Sequence, residues 1–265
     1  MIYREGENYR IRLSTYFNDE VDAKCVKVEE VPQGWVVTFE TDWYPMPFMM
    51  FVPGNRDKGW QDEARSLSGM PEIYANKDMG FFNWEIYSKD IKTIRSAVEL
   101  YRSNPGEFMK TGTGLYIFSK TKGCGKTLLA CCMANSMIRA GYTVRFINSG
   151  DFASFITDKT EDGRHAFHKL MTYDFLVYDD LGAGGEDKDW IAQALYRLVD
   201  ARIRDHKPTF WTSNTPADAV KTDSRVTDRI FATTIPVKLP DEPIRRKLAE
   251  NRLQSLVAKI QMTGA

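Results

Sequence analysis

The hydrophobic pattern changes character near residue 112. Before it, Ala23 to Glu30 and Trp35 to Thr41 are rich in Val, Phe and Thr and are joined by Val31-Pro32-Gln33-Gly34, the signature of a β-hairpin. A third apolar run, Phe48 to Val52, ends at Pro53-Gly54, so the first 54 residues predict a small antiparallel β module. Residues 55 to 85 show no regular period and read as a connection. Ile91, Ile94, Val98 and Tyr101 then recur at helical spacing up to Arg102, and Asn104-Pro105-Gly106 stops that helix. Beyond Gly112, short apolar runs alternate with longer amphipathic stretches, as in a parallel sheet flanked by helices. The predicted strands are Leu115 to Phe118, Thr143 to Asn148, Phe175 to Tyr178, Thr209 to Thr212 and Thr234 to Leu239. Helices fit at Thr127 to Ala140, closed by Gly141, and at Trp190 to Arg204, with a weaker one at Phe152 to Ile156 and a last one at Glu242 to Ile260. The stretch after the fifth strand is too short for a separate helical lid. No internal repeat is present.

Composition narrows the class. With 265 residues, 43% of them hydrophobic and 12% aromatic, the chain can bury one good core and a smaller satellite, which excludes disordered and low-complexity readings. Lys+Arg and Asp+Glu both total 36, so nucleic acid must be bound locally, not by a whole-chain field. The charge is mildly asymmetric, with a net −4 over residues 1–110 and +4 over 111–265. No apolar run approaches the roughly 18 residues of a membrane helix, and MIYREGENYR contains no signal-like apolar stretch, so a cytoplasmic protein without membrane contact is expected. Cys25, Cys124, Cys131 and Cys132 form no CxxC pair, which argues against a disulfide framework or a zinc site and for a reducing compartment.

Candidate chemistry lies at the ends of the predicted strands. The first strand runs into SKTKGCGKT and then a helix, the context a Walker A phosphate loop requires. Lys122 to Leu128 are the candidate nucleotide-binding residues. Gly123 and Gly125 let successive N–H groups around Cys124 face phosphate at a helix N-terminus. Lys126 would reach the β- and γ-phosphates of ATP, and the Thr127 hydroxyl would ligate Mg²⁺. The motif departs from its pattern at Lys120, where glycine is usual. Cys124 is either a small loop residue or a thiol activated by the helix N-terminus. Asp174-Phe-Leu-Val-Tyr-Asp179-Asp180 delivers two carboxylates at a strand end, a Walker B pattern. Asp179 would hold Mg²⁺ through water and Asp180 would orient or deprotonate the attacking water; the short Asp180 predicts slow hydrolysis. Phe210-Trp-Thr-Ser-Asn214 ends the next strand in polar residues, of which Asn214 is either a γ-phosphate sensor or a turn residue. Phe81, Phe82 and Trp84 are either neighbours of the adenine or core packing. His165, His168 and His206 form no convincing metal constellation.

These segments resemble the AAA+ ATPases of the DnaC/DnaI helicase-loader and IstB transposition-helper family. The resemblance covers roughly residues 70 to 252 and rests on GLYIFSKTKGCGKTLLA, YDFLVYDDLGA, the Trp190 to Arg204 helix leading into KPTFWTSN, and SRVTDRI. It implies an α/β P-loop fold with a minimal lid or none and an ATPase domain over residues 66–265. Residues 1–65 depart most from the family, whose loaders often carry a zinc-binding or helical partner-recruiting module there; here the β-rich module that the pattern predicts is expected to bind the partner. The resemblance implies that Asn214 is sensor 1, that SRVTDRI carries the arginine finger of a neighbouring subunit, with Arg229 the first choice and Arg225 the second, and that sensor 2 is Arg245 or, one place on, Arg246. Family members assemble with ATP and contact single-stranded DNA. The insertion between the second and third strands, Ser149 to Tyr173, offers Lys159, Arg164, His165, His168 and Lys169 for that contact or merely a solvated face. The implied function is ATP-dependent loading of a hexameric replicative helicase onto single-stranded DNA. The alternatives are a transposase-associated ATPase and, on account of Lys120, a nucleotide-binding adaptor without turnover.

Overall fold

The computed structural model describes residues 3–12, 20–31, 34–42, 47–53, 58–158 and 160–263. It divides into two compact units, Met1–Glu63 with Arg139–Gly141, and Ala64–Ile138 with Tyr142–Ala265. The first is an antiparallel meander of β1 (Asn8–Arg12), β2 (Glu20–Val31), β3 (Gly34–Glu40) and β4 (Phe48–Pro53). Alternation along β2 and β3 turns Ala23, Cys25, Val37 and Phe39 to one buried face, where Tyr3 and Tyr9 pack edge-on against Phe39. A bulge follows Cys25. The hairpin and the third strand lie where the pattern predicts them. Strand β1 was not anticipated, because NYRIR is short and polar. Pro32 and Gln33 of the predicted turn, and Gly54, lie outside the described residues.

Residues 55–85 are not a plain connection. They contain α1 (Lys58–Leu67), within which the boundary between the units falls, then α2 (Glu72–Ala75) and single 3₁₀ turns at Met79–Phe81 and Trp84–Ile86. The two turns are started by the side chains of Asp78 and Asn83, which accept from Gly80 and Glu85 N–H groups. Elements this short are set by such local caps and carry no periodic signal.

The second unit holds a five-stranded sheet in the order β6-β7-β8-β5-β9, every neighbouring pair parallel. Helices α3 (Lys92–Ser103) and α4 (Pro105–Thr111) precede it; the Pro105 that ends the first helix also begins the second. The chain then runs through β5 (Gly114–Phe118), α5 (Lys126–Arg139), β6 (Val144–Asn148), α6 (Ser149–Thr157), α7 (Glu161–Thr172), β7 (Phe175–Leu181), α8 (Asp189–Arg204), β8 (Thr209–Ser213), α9 (Ser224–Ala232), β9 (Thr234–Lys238) and α10 (Ile244–Thr263). Leu115–Ile117, Phe175–Tyr178 and Phe210–Trp211 are buried without alternation, as expected for strands covered on both faces. The insertion before β7 carries two helices, not one. Asn148 caps α6 by accepting from the Asp151 N–H, and Thr160 caps α7 by accepting from that of Gly163. Among the described residues α10 alone follows β9. No helix among them is long and apolar enough to cross a membrane.

Leaving β5, the chain passes to the edge strand β6 and returns through β7 and β8, while β9 lies on the other side of β5. Strand order therefore reverses at the carboxyl end of β5, which places a crevice there. The starts of β7 and β8 are fixed by Arg202 of α8, 2% exposed. Its guanidinium donates to Thr209 Oγ1 (2.9 Å) and to the carbonyls of Leu170 (2.8 Å), Tyr173 (3.0 Å), Asp174 (3.3 Å) and Pro208 (2.7 Å). Burial lowers its pKa to about 9, so it stays charged at neutral pH and closes α7 as well as both strands. Replacing it by methionine keeps the bulk and strands several buried acceptors. Arg202→Met is expected to cost about 3 kcal/mol in denaturant unfolding.

Candidate functional site

The loop between β5 and α5 is shaped by two glycines. Gly123 and Gly125 have φ of +75° and +105°, and a Cβ on Gly125 would lie 3.0 Å from Tyr87 Oη and 3.4 Å from the Phe82 ring. No other residue fits there without strain. Phe82, Trp84 and Tyr87 form an aromatic floor beneath the loop, with Phe82 and Trp84 rings 4.5 Å apart. Tyr87 Oη donates to the Cys124 carbonyl at 2.5 Å. The Cys124 thiol is fully buried, 3.7 Å from Lys126 Nζ, and does not line the crevice. Lys126 Nζ donates to the carbonyls of Ser119 (3.4 Å) and Thr121 (3.1 Å). Lys120 has no positive φ, so glycine is not needed at that position. Its N–H and the Ser119 hydroxyl both donate to Asp241 Oδ1, at 2.8 and 2.9 Å. The Arg245 N–H, in the first turn of α10, donates to the Gly123 carbonyl at 2.9 Å.

Beside the loop, Asp179 is 6% exposed. Its Oδ2 accepts from Thr127 Oγ1 at 3.2 Å and its Oδ1 from Thr212 Oγ1 at 2.6 Å. Burial raises its pKa; the Thr212 and Thr127 hydroxyls and the Lys126 ammonium pull the other way, while Asp180 adds to the rise. A buried carboxylate with an adjacent hydroxyl and an incomplete complement of positive charge is a chemically suitable donor set for Mg²⁺. The pairing of β7 with β8 shifts between Tyr178 and Leu181, and in that irregularity Asp180 takes φ +57°. The Asp180 N–H donates to Thr212 Oγ1 (2.9 Å), leaving the carboxylate exposed. Left-handed backbone on a non-glycine residue costs energy and is concentrated at functional sites.

Thr127 and Asp180 border a cleft of about 600 Å³, whose lining does not include Asp179 or Thr212. Lys122, Gly123, Gly125, Lys126, Thr127 and Leu128 line it together with Asp180, Ala183 and Asn214. Arg245 and Arg252 of α10 and Lys77 add cations suited to a polyanion. The remaining wall is Ile73, Tyr74, Ile244 and Leu248. Sequence reading missed Ile73, Tyr74 and Lys77, which are held in place by Asn135 of α5: its Nδ2 donates to the carbonyls of Tyr74 (3.0 Å) and Lys77 (2.8 Å). It also missed Tyr87, Asp241 and Thr212, of which only Thr212 left a trace, in the polar end of its strand. Phe81 is 62% exposed and Phe82 and Trp84 are buried under the loop; none of the three lines the cleft.

Arg225 and Arg229 lie on α9 and are not among the cleft residues. Both guanidinium groups sit over the Tyr196 ring, at 4.8 and 4.6 Å. Arg229 donates to Tyr196 Oη (2.8 Å) and pairs with Asp200 (3.2 Å), and Arg225 pairs with Asp223 (2.6 Å). Arg164, His165, His168 and Lys169 are exposed on α7; Lys159 lies outside the described residues. The histidines join no metal-binding group among the described residues.

Comparison with known proteins agrees with this geometry. The family model described as IstB-like ATP binding protein matches residues 92–240. The chain is 27% identical over 174 residues to the uncharacterised protein YdaV of Escherichia coli strain K12, covering 64% of this chain and 67% of that one. It is 25% identical over 170 residues to the replicative helicase loader DnaC of Buchnera aphidicola subsp. Schizaphis graminum, covering 62% and 66%. The chain thus spans about two thirds of the length of both relatives. The crystal structure of DnaI shares the fold with TM-score 0.56 at 20% identity, over 69% of this chain and 99% of that one.

Two outcomes follow from the loop. Gly125→Ala should lower affinity for a fluorescent ATP analogue at least tenfold, since the new Cβ meets Tyr87 and φ is unfavourable; titration by fluorescence anisotropy measures it. Hydrogen bonds from Ser119 and Lys120 hold the Asp241 carboxyl below its ordinary pKa. The stability this contributes is present above the unfolded value near 3.8 and is lost as pH falls through the lower folded value. Asp241→Asn should therefore narrow the stability gap to the parent as pH is lowered from 6 to 3, read from urea midpoints.

Proposed function

The chain belongs to the family of IstB-like ATP-binding proteins, and on that premise we propose that it is a slow, assembly-dependent ATPase that loads a hexameric replicative helicase onto single-stranded DNA. The observation that carries the ATPase reading is the Asp179 carboxylate, fixed between Thr127 and Thr212, with Thr127 and Lys126 lining a cleft rich in cations. In this reading the triphosphate lies over the N–H groups of residues 123–127, and Lys126 exchanges loop carbonyls for phosphate oxygens. Thr127 and Asp179 hold Mg²⁺, which when bound neutralises charge on the β- and γ-phosphoryl oxygens. Asp180 orients the attacking water and accepts its proton as the bond from the γ-phosphorus to the ADP oxygen breaks. Asn214 hydrogen-bonds the γ-phosphate or that water, and Arg245 contacts the phosphates from α10. The base rests against Ile73, Tyr74 and Leu248.

Arg229 acts on the nucleotide of a neighbouring copy, with Arg225 as the second candidate; an arginine supplied across an interface makes hydrolysis depend on assembly. ATP binding holds the assembly on the helicase and hydrolysis releases it. The N-terminal module, residues 1–65, recruits the partner, and the cations of α7 contact DNA phosphates. Support for the loader reading comes from the relatives named as replicative helicase loaders and from the helix pair α6–α7 inserted before β7. The IstB-like family model favours a second reading, a transposition helper acting on DNA with a transposase. The third reading, a nucleotide-binding adaptor without turnover, would be excluded by ATP hydrolysis that Lys126→Ala abolishes.

Light scattering on the protein mixed with its host's replicative helicase should give a defined complex with ATP and none without. Separate elution, with ATP assembling the protein on DNA alone, would favour the transposition helper. Lys126→Ala and Arg229→Ala chains should each lose at least about 100-fold in ATP hydrolysis. Mixing them should restore activity, since one copy supplies the nucleotide site and the other the arginine.

A further inference from the structure

Glu186, in the loop after β7, is 1% exposed, yet no cation pairs with it among the described residues. A buried carboxylate without a counter-charge persists only where hydrogen-bond donors converge on it. Two do so here. Tyr178 Oη donates to Oε1 at 3.2 Å and the Gly184 N–H to Oε2 at 2.9 Å. Tyr178 is the residue before Asp179, fully buried, and its phenol is held protonated by burial and by Glu186 itself. The loop it joins is irregular: Asp180, Gly182 and Gly185 all have positive φ, of +57°, +94° and +83°. Its other hydrogen bonds include the Asp180 N–H to Thr212 Oγ1 at 2.9 Å, the Ala183 N–H to the Asp180 carbonyl at 3.0 Å, the Ser213 hydroxyl to the Leu181 carbonyl at 2.8 Å and the Lys188 N–H to the Gly185 carbonyl at 2.9 Å. Gly184 abuts the start of α6 so closely that a Cβ would lie 2.6 Å from the Ser149 carbonyl. The turn that aims Asp180 is thus anchored at its far end by Glu186, which ties it back to the strand that carries Asp179.

We propose that Glu186 is a positioning residue for hydrolysis: through Tyr178 and Gly184 it fixes the loop that presents Asp180 to the attacking water. This rests on the role given to Asp180 above. The backbone N–H of Gly184 requires an acceptor, while the Tyr178 hydroxyl can also accept, so glutamine can bridge the same two groups and alanine cannot. The loop contributes Asp180 and Ala183 to the cleft, whereas the base wall and residues 123–127 belong to other elements, so its loosening is expected to change turnover more than ATP binding.

The test is steady-state ATP hydrolysis by the full chain, with Asp180→Asn measured alongside. Glu186→Ala should lower kcat at least tenfold while KM for ATP moves less than threefold. Glu186→Gln should keep kcat within threefold, because its amide bridges the same two groups. The double variant Tyr178→Phe, Glu186→Gln should fall severalfold below Glu186→Gln, because the amide NH₂ loses its acceptor; this pair carries the test if Glu186→Ala does not fold. Unchanged kcat in Glu186→Ala, parallel loss of affinity and turnover, or no loss in the double variant relative to Glu186→Gln overturns the proposal while a dead Asp180→Asn leaves the ATPase reading intact. Full activity in Asp180→Asn overturns the role of Asp180, and the proposal with it.

Discussion

Burying the carboxylate of Asp179 is costly unless donors surround it, and the second unit is arranged so that they do. Its two oxygens draw one hydroxyl from the first turn of α5 and one from the end of β8. Three elements distant in sequence are thereby brought into register at the carboxyl edge of the sheet, where the reversal of strand order opens a crevice. Thr212 serves twice, since its oxygen also accepts the Asp180 N–H and so turns that residue into the left-handed conformation that exposes its carboxylate. The residual rise in the Asp179 pKa shows that hydroxyls and Lys126 do not offset its burial fully. A divalent cation would supply what is missing.

The phosphate loop is held from two sides. Beneath it lie Phe82, Trp84 and Tyr87, and the hydroxyl of Tyr87 anchors the Cys124 carbonyl. At its entrance, Asp241 gathers Ser119 and Lys120, and the first turn of α10 takes up the Gly123 carbonyl. The same segment is tied to residues 86–88, through Glu242 to Ser88 and Lys247 to the Ile86 carbonyl. The start of α10 therefore links the loop to the strip of chain that forms its floor. A change in how α10 sits would be felt at Gly123, which gives Arg245 and Arg252 a structural route to the phosphates as well as an electrostatic one.

Much of this was legible in the sequence. Strand, loop and helix around Lys126 follow from a change of hydrophobic period and from glycines at fixed spacing, and the central strands β5, β7 and β8 follow from apolar runs, because a parallel sheet is buried on both faces; the edge strands β6 and β9 carry Arg145 and Lys238 and are more weakly marked. What was not legible rests on long-range contacts. Tyr87 and Cys124 are 37 residues apart and Lys120 and Asp241 are 121 apart, and no local pattern announces either pairing. The helices of residues 58–75 escaped notice because they are short and polar, and the capping side chains that begin the turns after them resemble ordinary loop residues. Lys120 looked like a defect in the motif, although its backbone conformation is one that any residue adopts.

The account stands on the claim that Asp179, Thr127 and Lys126 form one Mg²⁺-dependent nucleotide site. Calorimetric titration of ATP into the protein and into Asp179→Asn, each with and without Mg²⁺, tests it most directly. Mg²⁺ should strengthen binding to the parent at least tenfold and leave the variant nearly unaffected. Equal Mg²⁺ dependence in both, or no ATP binding by the parent, would contradict it.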